Sequence, residues 1–137
     1  MADLPKMSES AVHAGFPSPA QDYMGVGIDL NKELVRHPDA TFFVRVAGDS
    51  MTGAGIDDGD VLIVDRSLEA RDGCIAVCCL EREFLVRRVA TGGESWVLNA
   101  ENPVYKPIRV DASSEFSVWG VVTYIIKKAD VRPGRLQ

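Results

Sequence analysis

The chain has 137 residues, the length of a single domain, and 46% of them are hydrophobic while 26% are charged, a balance that excludes both a disordered chain and a membrane protein. No apolar run approaches the roughly 20 residues that span a bilayer, and the first residues lack the apolar core of a secretory signal, so we expect a cytoplasmic protein without a membrane anchor. The net charge of −5 argues against a general affinity for the nucleic-acid backbone, which requires a concentrated positive surface.

The N-terminal segment differs in composition from the rest of the chain. Residues 1–27 contain three prolines and three glycines and show no sustained hydrophobic period, which predicts an extended, mobile arm. We place this arm at residues 1–30. The sequence Asp29–Arg36 predicts one or two helical turns, because Asp29 can cap the first turn and Pro38 follows as a stop.

Short strands and turns dominate from Thr41 onward. Asp-Gly and Gly-Gly pairs separate runs rich in β-branched and aromatic residues, and this pattern is typical of a β-sandwich or a barrel-like domain. We therefore predict a mainly β fold, with a β-rich domain over residues 31–127 and a loose tail over residues 128–137. The predicted strands are Thr41–Gly48, Val61–Asp65, Cys74–Leu80, Glu83–Ala90, Ser95–Asn99 and Phe116–Ile126.

The three cysteines lie in one segment and indicate neither a disulfide nor a metal site. On a strand, Cys74 and Cys78 would lie roughly 13 Å apart, whereas the Cα atoms of a disulfide lie within about 7 Å of each other. Cys79 would point to the opposite face from Cys78. Because the chain has no CxxC pair, phosphate loop or dinucleotide fingerprint, we expect no cofactor and no metal, and we predict that the cysteines are small buried side chains.

A serine follows the first predicted strand, in Gly48-Asp49-Ser50-Met51. A glycine at a strand end lets the backbone turn sharply, and such a turn can project a hydroxyl into a cleft. The same residue types also form ordinary turns, so the local sequence leaves both interpretations open. The histidines do not supply a base by position, since His13 lies in the predicted arm and His37 precedes a proline.

Several longer motifs follow one another in a single register over about residues 14–126. They are Ala14-Gly15-Phe16-Pro17, His37-Pro38, Gly48-Asp49-Ser50-Met51, Gly55-Ile56, Asp58-Gly59-Asp60, Glu83-Phe84-Leu85-Val86 and Trp119-Gly120-Val121-Val122. Together they resemble the UmuD family, whose members share their fold with the C-terminal domain of the LexA repressor. The match needs no gaps and covers most of the chain.

The resemblance implies a serine peptidase of the Ser/Lys type that cuts its own N-terminal arm. The bond that corresponds to the family's cleavage site joins Ala14 to Gly15, and the nucleophile corresponds to Ser50. The resemblance also implies that the RecA filament on single-stranded DNA stimulates cleavage during the SOS response. The shortened product would form a homodimer and join a UmuC-like polymerase of the Y family in mutagenic synthesis past DNA lesions.

The chain departs from the family at the general base. The lysine that would follow Val86 is Arg87 here, and no lysine occurs between Lys32 and Lys106. Arginine is effectively never deprotonated in a protein, so it cannot take the serine proton. We therefore expect self-cleavage to be very slow or absent near neutral pH. Three explanations stay open: a natural loss of cleavage, an engineered Lys→Arg change, or partial rescue by alkaline conditions or another residue.

Three other functions compete with this interpretation. A non-catalytic interaction module that keeps the fold and regulates a polymerase without proteolysis would account for Arg87 directly. A LexA-like repressor is disfavoured, because the roughly 14 residues before the cleavage bond are too few for a helix-turn-helix domain, and we expect no sequence-specific DNA binding. A relative of signal peptidases would need a membrane anchor, which we do not expect here.

Overall fold

The computed structural model describes residues 27–130, and the chain divides into two compact units, residues 1–36 and residues 37–137. In the first unit the helix α1 spans Leu30–Leu34, and the Asp29 side chain caps it by accepting a hydrogen bond of 3.3 Å from the backbone N–H of Lys32. The predicted short helix is confirmed, although it ends before Arg36. The predictions for residues 1–26 and 131–137, which include most of the arm and of the tail, lie outside the described residues.

Seven strands lie in the described part of the second unit, residues 37–130. They are β1 Thr41–Arg45, β2 Val61–Asp65, β3 Ile75–Leu80, β4 Glu83–Gly92, β5 Ser95–Asn99, β6 Ile108–Val110 and β7 Phe116–Ile126. All seven form one antiparallel sheet in the spatial order β1-β2-β7-β3-β4-β5-β6. The mainly β prediction is confirmed. Since the strands share a single sheet, the two-sheet sandwich is not the architecture observed. Short 3₁₀ turns occupy Pro38–Ala40 and Thr52–Ala54.

Most of the buried apolar side chains form two clusters. The first contains Met51, Ile56, Leu62, Val64 and Val77, and the second contains Ala76, Cys78, Val89, Leu98 and Val110. Because successive side chains of a strand point to opposite faces, Val77 and its neighbour Cys78 on β3 enter different clusters. The loop after β1 contributes Met51 and Ile56 to the first cluster, so burial of apolar area fixes the segment that carries Ser50.

A two-residue turn joins β3 to β4 and sets their register. Glu81 and Arg82 have φ values of 49° and 70°, the left-handed backbone that the tightest hairpin turns require. The predicted hairpin closed by Glu81-Arg82 is therefore confirmed. The register places Arg87 opposite Ala76, well inside the paired region, so the Arg87 side chain leaves the sheet from a fixed position.

The three cysteines are free, which confirms that they do not pair. Cys78 is fully buried, and burial raises the pKa of its thiol to about 12. Cys74 and Cys79 are only half-buried, so the prediction of three buried side chains is wrong for these two. Cys74 lies just before β3, and Cys79 lies next to its last residue. Both are therefore closer to the rim of the sheet than Cys78.

Buried carboxylates hold both ends of β2. Asp65, at the end of the strand, accepts hydrogen bonds from the backbone N–H and the hydroxyl of Ser67 at 2.8 and 2.6 Å, and it pairs with His37 Nδ1 at 2.6 Å. Asp60, just before the strand, pairs with Lys127 Nζ at 2.5 Å. These two contacts connect β2 to the residues that precede β1 and follow β7.

Candidate active site

The loop between β1 and β2 presents Ser50. At its base, the backbone N–H of Val46 donates to the carbonyl of Asp60 at 2.8 Å, and the N–H of Gly59 donates to the carbonyl of Val46 at 2.8 Å. Gly48 has a φ of 98°, a left-handed conformation that glycine adopts without a steric penalty. The chain therefore reverses its direction soon after β1, and Ser50 returns to the sheet.

Ser50 and Arg87 are distant in sequence and in direct contact in the structure. Arg87 Nη1 donates a hydrogen bond of 3.0 Å to Ser50 Oγ and another of 2.9 Å to the carbonyl of Val86. The Arg87 side chain is buried, with 8% of the residue exposed. The structure thus brings together the two residues that the sequence analysis assigned to the nucleophile and general-base positions.

The hydrogen bond between Ser50 and Arg87 can run in only one direction. A guanidinium has donors and no acceptor, so Ser50 Oγ accepts. Burial lowers the pKa of Arg87, while the Tyr105 and Cys78 side chains act against that change. Because an arginine starts from a pKa above about 12, Arg87 stays cationic and takes no proton from the serine.

Tyr105 is a site residue that the sequence analysis did not identify. Its hydroxyl donates a hydrogen bond of 2.5 Å to Asp49 Oδ1, and its ring centroid lies 5.7 Å from Arg87 Cζ. The hydrogen bond to Asp49 raises the pKa of Tyr105, because ionising the phenol would set two negative charges side by side. No local pattern marks Tyr105, which lies in an irregular segment between β5 and β6.

Residues 101–105 hold the Ser50 loop through its backbone. The N–H of Glu101 donates to the carbonyl of Ser50 at 2.9 Å, and the N–H of Gly53 donates to the carbonyl of Glu101 at 2.7 Å. Asn102 Nδ2 adds a hydrogen bond of 2.9 Å to the carbonyl of Asp49. The position of Ser50 therefore depends on two segments that are far apart in sequence.

A cavity of about 350 Å³ opens at these residues, and Ser50, Arg87 and Tyr105 line it. The apolar part of its wall consists of Val44, Val46, Ala47, Met51, Val77, Phe84, Leu85 and Val86. A concave site with a few converging polar groups on an apolar wall is typical of sites that bind small molecules or short peptide segments.

Among the other candidate residues, only His37 is described by the structure, and it does not line this cavity. Ala14, Gly15 and His13 lie outside the described residues. His37, which pairs with Asp65 at 2.6 Å, is absent from the cavity wall. Within residues 27–130, His, Cys, Asp and Glu side chains form no group of three or more that could hold a metal ion. In the same range, no helix has both the length and the apolar character needed to cross a bilayer.

Comparisons with known proteins show to which family the chain is similar. A family model described as Peptidase S24-like matches residues 6–123. The chain is 46% identical over 116 residues to Protein MucA of Salmonella typhimurium, covering 82% of this chain and 77% of that protein. It is 40% identical over 115 residues to Protein SamA of Salmonella typhimurium strain LT2, covering 84% and 79%. It is 38% identical over 123 residues to Protein ImpA of Shigella flexneri, covering 84% and 78%.

Proposed function

The chain belongs to the peptidase S24-like family and to its UmuD branch, and from that premise we propose that it is an SOS-response mutagenesis protein whose self-cleavage is impaired by Arg87. In this proposal Ser50 is the nucleophile and the cavity around it is the peptidase site. Arg87 occupies the position of the general base without being able to act as one. The processed form would be the accessory subunit of an error-prone Y-family polymerase.

The hydrogen bond from Arg87 to Ser50 carries this proposal. A serine hydroxyl is a weak nucleophile until a neighbouring base takes its proton. At this site the neighbour donates a hydrogen bond, at 3.0 Å, and has no lone pair to accept one. Loss of general-base help typically costs about 10²–10⁴ in rate. We therefore expect cleavage to be slower by at least that factor than in a site with lysine at position 87.

The substrate is proposed to be the leading segment of the chain itself. The bond between Ala14 and Gly15 corresponds to the family's cleavage bond, and both flanking side chains are small enough for a narrow cleft. About 35 residues separate this bond from Ser50. At about 3.3 Å for each extended residue, the segment can reach its own cavity or the cavity of a dimer mate.

The partners are proposed from the family. We expect a homodimer in the cytoplasm, stimulation of any residual cleavage by the RecA filament, and binding to a UmuC-like polymerase. The net charge of −5 supports action through protein partners, because direct binding to DNA depends on neutralising many phosphates.

An Arg87→Lys variant tests the role of the guanidinium. Burial can lower the pKa of a lysine until it accepts a proton near neutral pH, so this variant is expected to release a fragment that begins at Gly15. Incubation with RecA filaments, followed by gel electrophoresis and mass spectrometry, should show cleavage at least about 10²-fold faster than in the parent chain. The matched control carries Ser50→Ala together with Arg87→Lys and should stay uncut. Rapid cleavage of the parent chain would contradict the proposal.

A second function is favoured by the same contact: a polymerase-binding module that does not cut itself. The buried guanidinium ties Ser50 to β4 by a hydrogen bond, as a purely structural residue would. In this case Arg87→Lys stays uncut, and the parent and the variant bind the polymerase equally well. A pull-down with the polymerase, run beside the cleavage assay, separates the two functions.

A further inference from the structure

Arg87 is a buried cation without a carboxylate partner among residues 27–130. Only 8% of Arg87 is exposed. Each ion pair in the described part of the chain involves a cation other than Arg87. The groups that act on its charge are Tyr105, which is a neutral phenol at neutral pH, and Cys78, whose thiol is also neutral there. A buried charge is costly unless an opposite charge accompanies it, so this position favours an anion.

The guanidinium also has unused donors. It carries five N–H groups, and both of its hydrogen bonds leave from Nη1, one to Ser50 and one to Val86. The Nε–H of Arg87 is buried and has no acceptor among the residues that the structure describes. Hydrogen-bonding capacity that is left unsatisfied in a buried position is destabilising, which indicates that a further acceptor belongs near this side chain.

The serine adds a donor to the same cavity. Since Ser50 Oγ accepts from Arg87, its own proton is free to be donated to another group. A lysine base would accept that proton, whereas Arg87 leaves it available. The substitution of arginine for lysine thus converts a donor–acceptor pair into two donors on one cavity wall.

The other charged groups of the cavity do not cancel this positive site. Arg45 is a second cation that lines the cavity, and Asp49 is the one carboxylate among the described lining residues. Asp49 Oδ1 already accepts the hydroxyl of Tyr105 at 2.5 Å. Two cations therefore face a single carboxylate that is hydrogen-bonded elsewhere, and the balance at the cavity is positive.

From these observations we infer that the cavity binds the free C-terminal carboxylate of a peptide that ends in a small apolar residue. The carboxylate would accept from Ser50 Oγ–H and from the guanidinium of Arg87, in the charge-assisted geometry that arginine favours. The terminal side chain would rest against the apolar wall, which includes Val44, Met51 and Val77. In a C-terminal residue the carboxylate and the side chain are attached to the same Cα atom. The carboxylate can therefore reach the donors of Ser50 and Arg87 while the side chain contacts the apolar wall.

Titration of the full 137-residue chain with three small peptides tests the inference. Acetyl-Ala-Ala with a free carboxylate is expected to bind saturably, as measured by NMR shifts or calorimetry. Acetyl-Ala-Ala amide should bind at least about tenfold more weakly, because it lacks the charge that pairs with Arg87. Acetyl-Ala-Glu amide, which offers only a side-chain carboxylate, should also bind more weakly. Equal binding of the acid and the amide would overturn the inference, and stronger binding of the glutamate peptide would overturn the choice of a C-terminal carboxylate.

Variants of the chain show whether the binding is at this cavity. Arg87→Met keeps a long side chain without charge and should weaken binding of the free acid at least about tenfold. Ser50→Ala removes one donor and should weaken it about threefold to tenfold. Arg109→Gln is the matched control, because Arg109 is an exposed residue of β6 outside the cavity wall, and its binding should equal that of the parent. Unchanged binding by Arg87→Met would overturn the inference.

If Arg87→Met fails to give the circular dichroism spectrum of the parent chain, the Ser50→Ala variant and the acid–amide comparison carry the test. The inference concerns the same cavity as the proposed function, but it is measured by binding alone. A peptide that does not bind would not change the prediction that Arg87→Lys cuts itself. An Arg87→Lys variant that stays uncut would not change the interpretation of the binding experiment.

Discussion

The Asp49 carboxylate accepts a hydrogen bond of 2.5 Å from the hydroxyl of Tyr105. Asp49 directly precedes Ser50, and its backbone carbonyl accepts a second hydrogen bond from Asn102. The residue before the candidate nucleophile is thus held at its side chain and at its backbone by one segment. Asn102 and Tyr105 therefore help to hold the residue that precedes Ser50.

Replacing Asp49 by Asn is expected to lower the pKa of Tyr105. The hydrogen bond from the phenol to the carboxylate raises this pKa, and an amide side chain neither repels a phenolate nor stabilises the phenol as strongly. Because the pKa of Tyr105 is higher in the native protein than in the unfolded chain, the hydrogen bond to Asp49 stabilises the fold at pH values below the unfolded pKa. This stabilisation is lost as the pH rises through the native pKa. NMR titration of labelled tyrosine, with Tyr105→Phe to assign the signal, measures the shift. An unchanged titration would argue against the contact.

Replacing Gly53 by Ala is expected to disturb the Ser50 loop. A Cβ atom at Gly53 would lie 2.6 Å from the carbonyl oxygen of Glu101, so the backbone must move and the hydrogen bond between these residues must lengthen. We expect the free energy of unfolding to fall by about 1–3 kcal/mol. Gly92→Ala is the matched control, since a Cβ there meets nothing within 4 Å, and it should be neutral or slightly stabilising. Urea unfolding measures the free energy of unfolding of both variants. Equal values for Gly53→Ala and Gly92→Ala would contradict the close approach of Gly53 to the carbonyl of Glu101.

Asp65 should make stability depend on acid pH. Burial alone would raise its pKa, but the hydrogen bonds from His37 and Ser67 outweigh burial and lower it. The unfolded chain therefore binds this proton at a higher pH than the native protein does, so the stabilisation is present above about pH 4 and is lost as the pH falls through the native pKa.

The Asp65→Asn variant measures this contribution. It should lose about 1–3 kcal/mol at pH 7, because an asparagine side chain has only one acceptor oxygen where Asp65 uses two. The difference between parent and variant should shrink in acid, as followed by urea unfolding at several pH values. A difference that stayed constant down to pH 2 would show that the carboxylate charge has no part in it.

Replacing Arg82 by Gly is expected to stabilise the chain. Arg82 adopts a φ of 70°, which costs a residue with a Cβ roughly 1 kcal/mol and costs glycine nothing. The Arg82 side chain is 90% exposed and lies 3.6 Å from Glu115, a pair that contributes little. We expect a gain of about 0.5–1 kcal/mol in urea unfolding. The control Arg109→Gly, in the regular strand β6, should instead lower the free energy of unfolding. If both variants lowered it, or both raised it, the left-handed turn geometry at Arg82 would be contradicted.

Much of the sheet could be predicted from the sequence, because its strands are bounded by turn residues with a definite conformation. The bounds of Val61–Asp65, Ser95–Asn99 and Phe116–Ile126 agree with the structure. The strand Ile108–Val110 was missed, since three residues are too few to show an alternation. The first strand ends at Arg45 rather than Gly48, because Val46 leaves the regular ladder to bond with Gly59 and Asp60.

The site could be predicted only in part. Ser50 and Arg87 came from the family resemblance, because no local pattern connects a loop residue to a strand residue so far along the chain. Tyr105 and Asn102 were missed for the same reason: their contacts with Asp49 depend on how the segment after β5 folds back. Tertiary hydrogen bonds of this kind leave no periodic signal, and a single sequence does not reveal them.

The dependence of the Ser50 loop on residues 101–105 has a consequence for synthesis. A ribosome delivers the chain from its N-terminus, so the bond between Ala14 and Gly15 emerges long before Glu101, whose backbone holds the Ser50 loop at 2.9 and 2.7 Å. The cavity is assembled only when most of the chain has been translated. Under the proposed function, any self-cleavage would therefore have to wait until residues 101–105 have been translated.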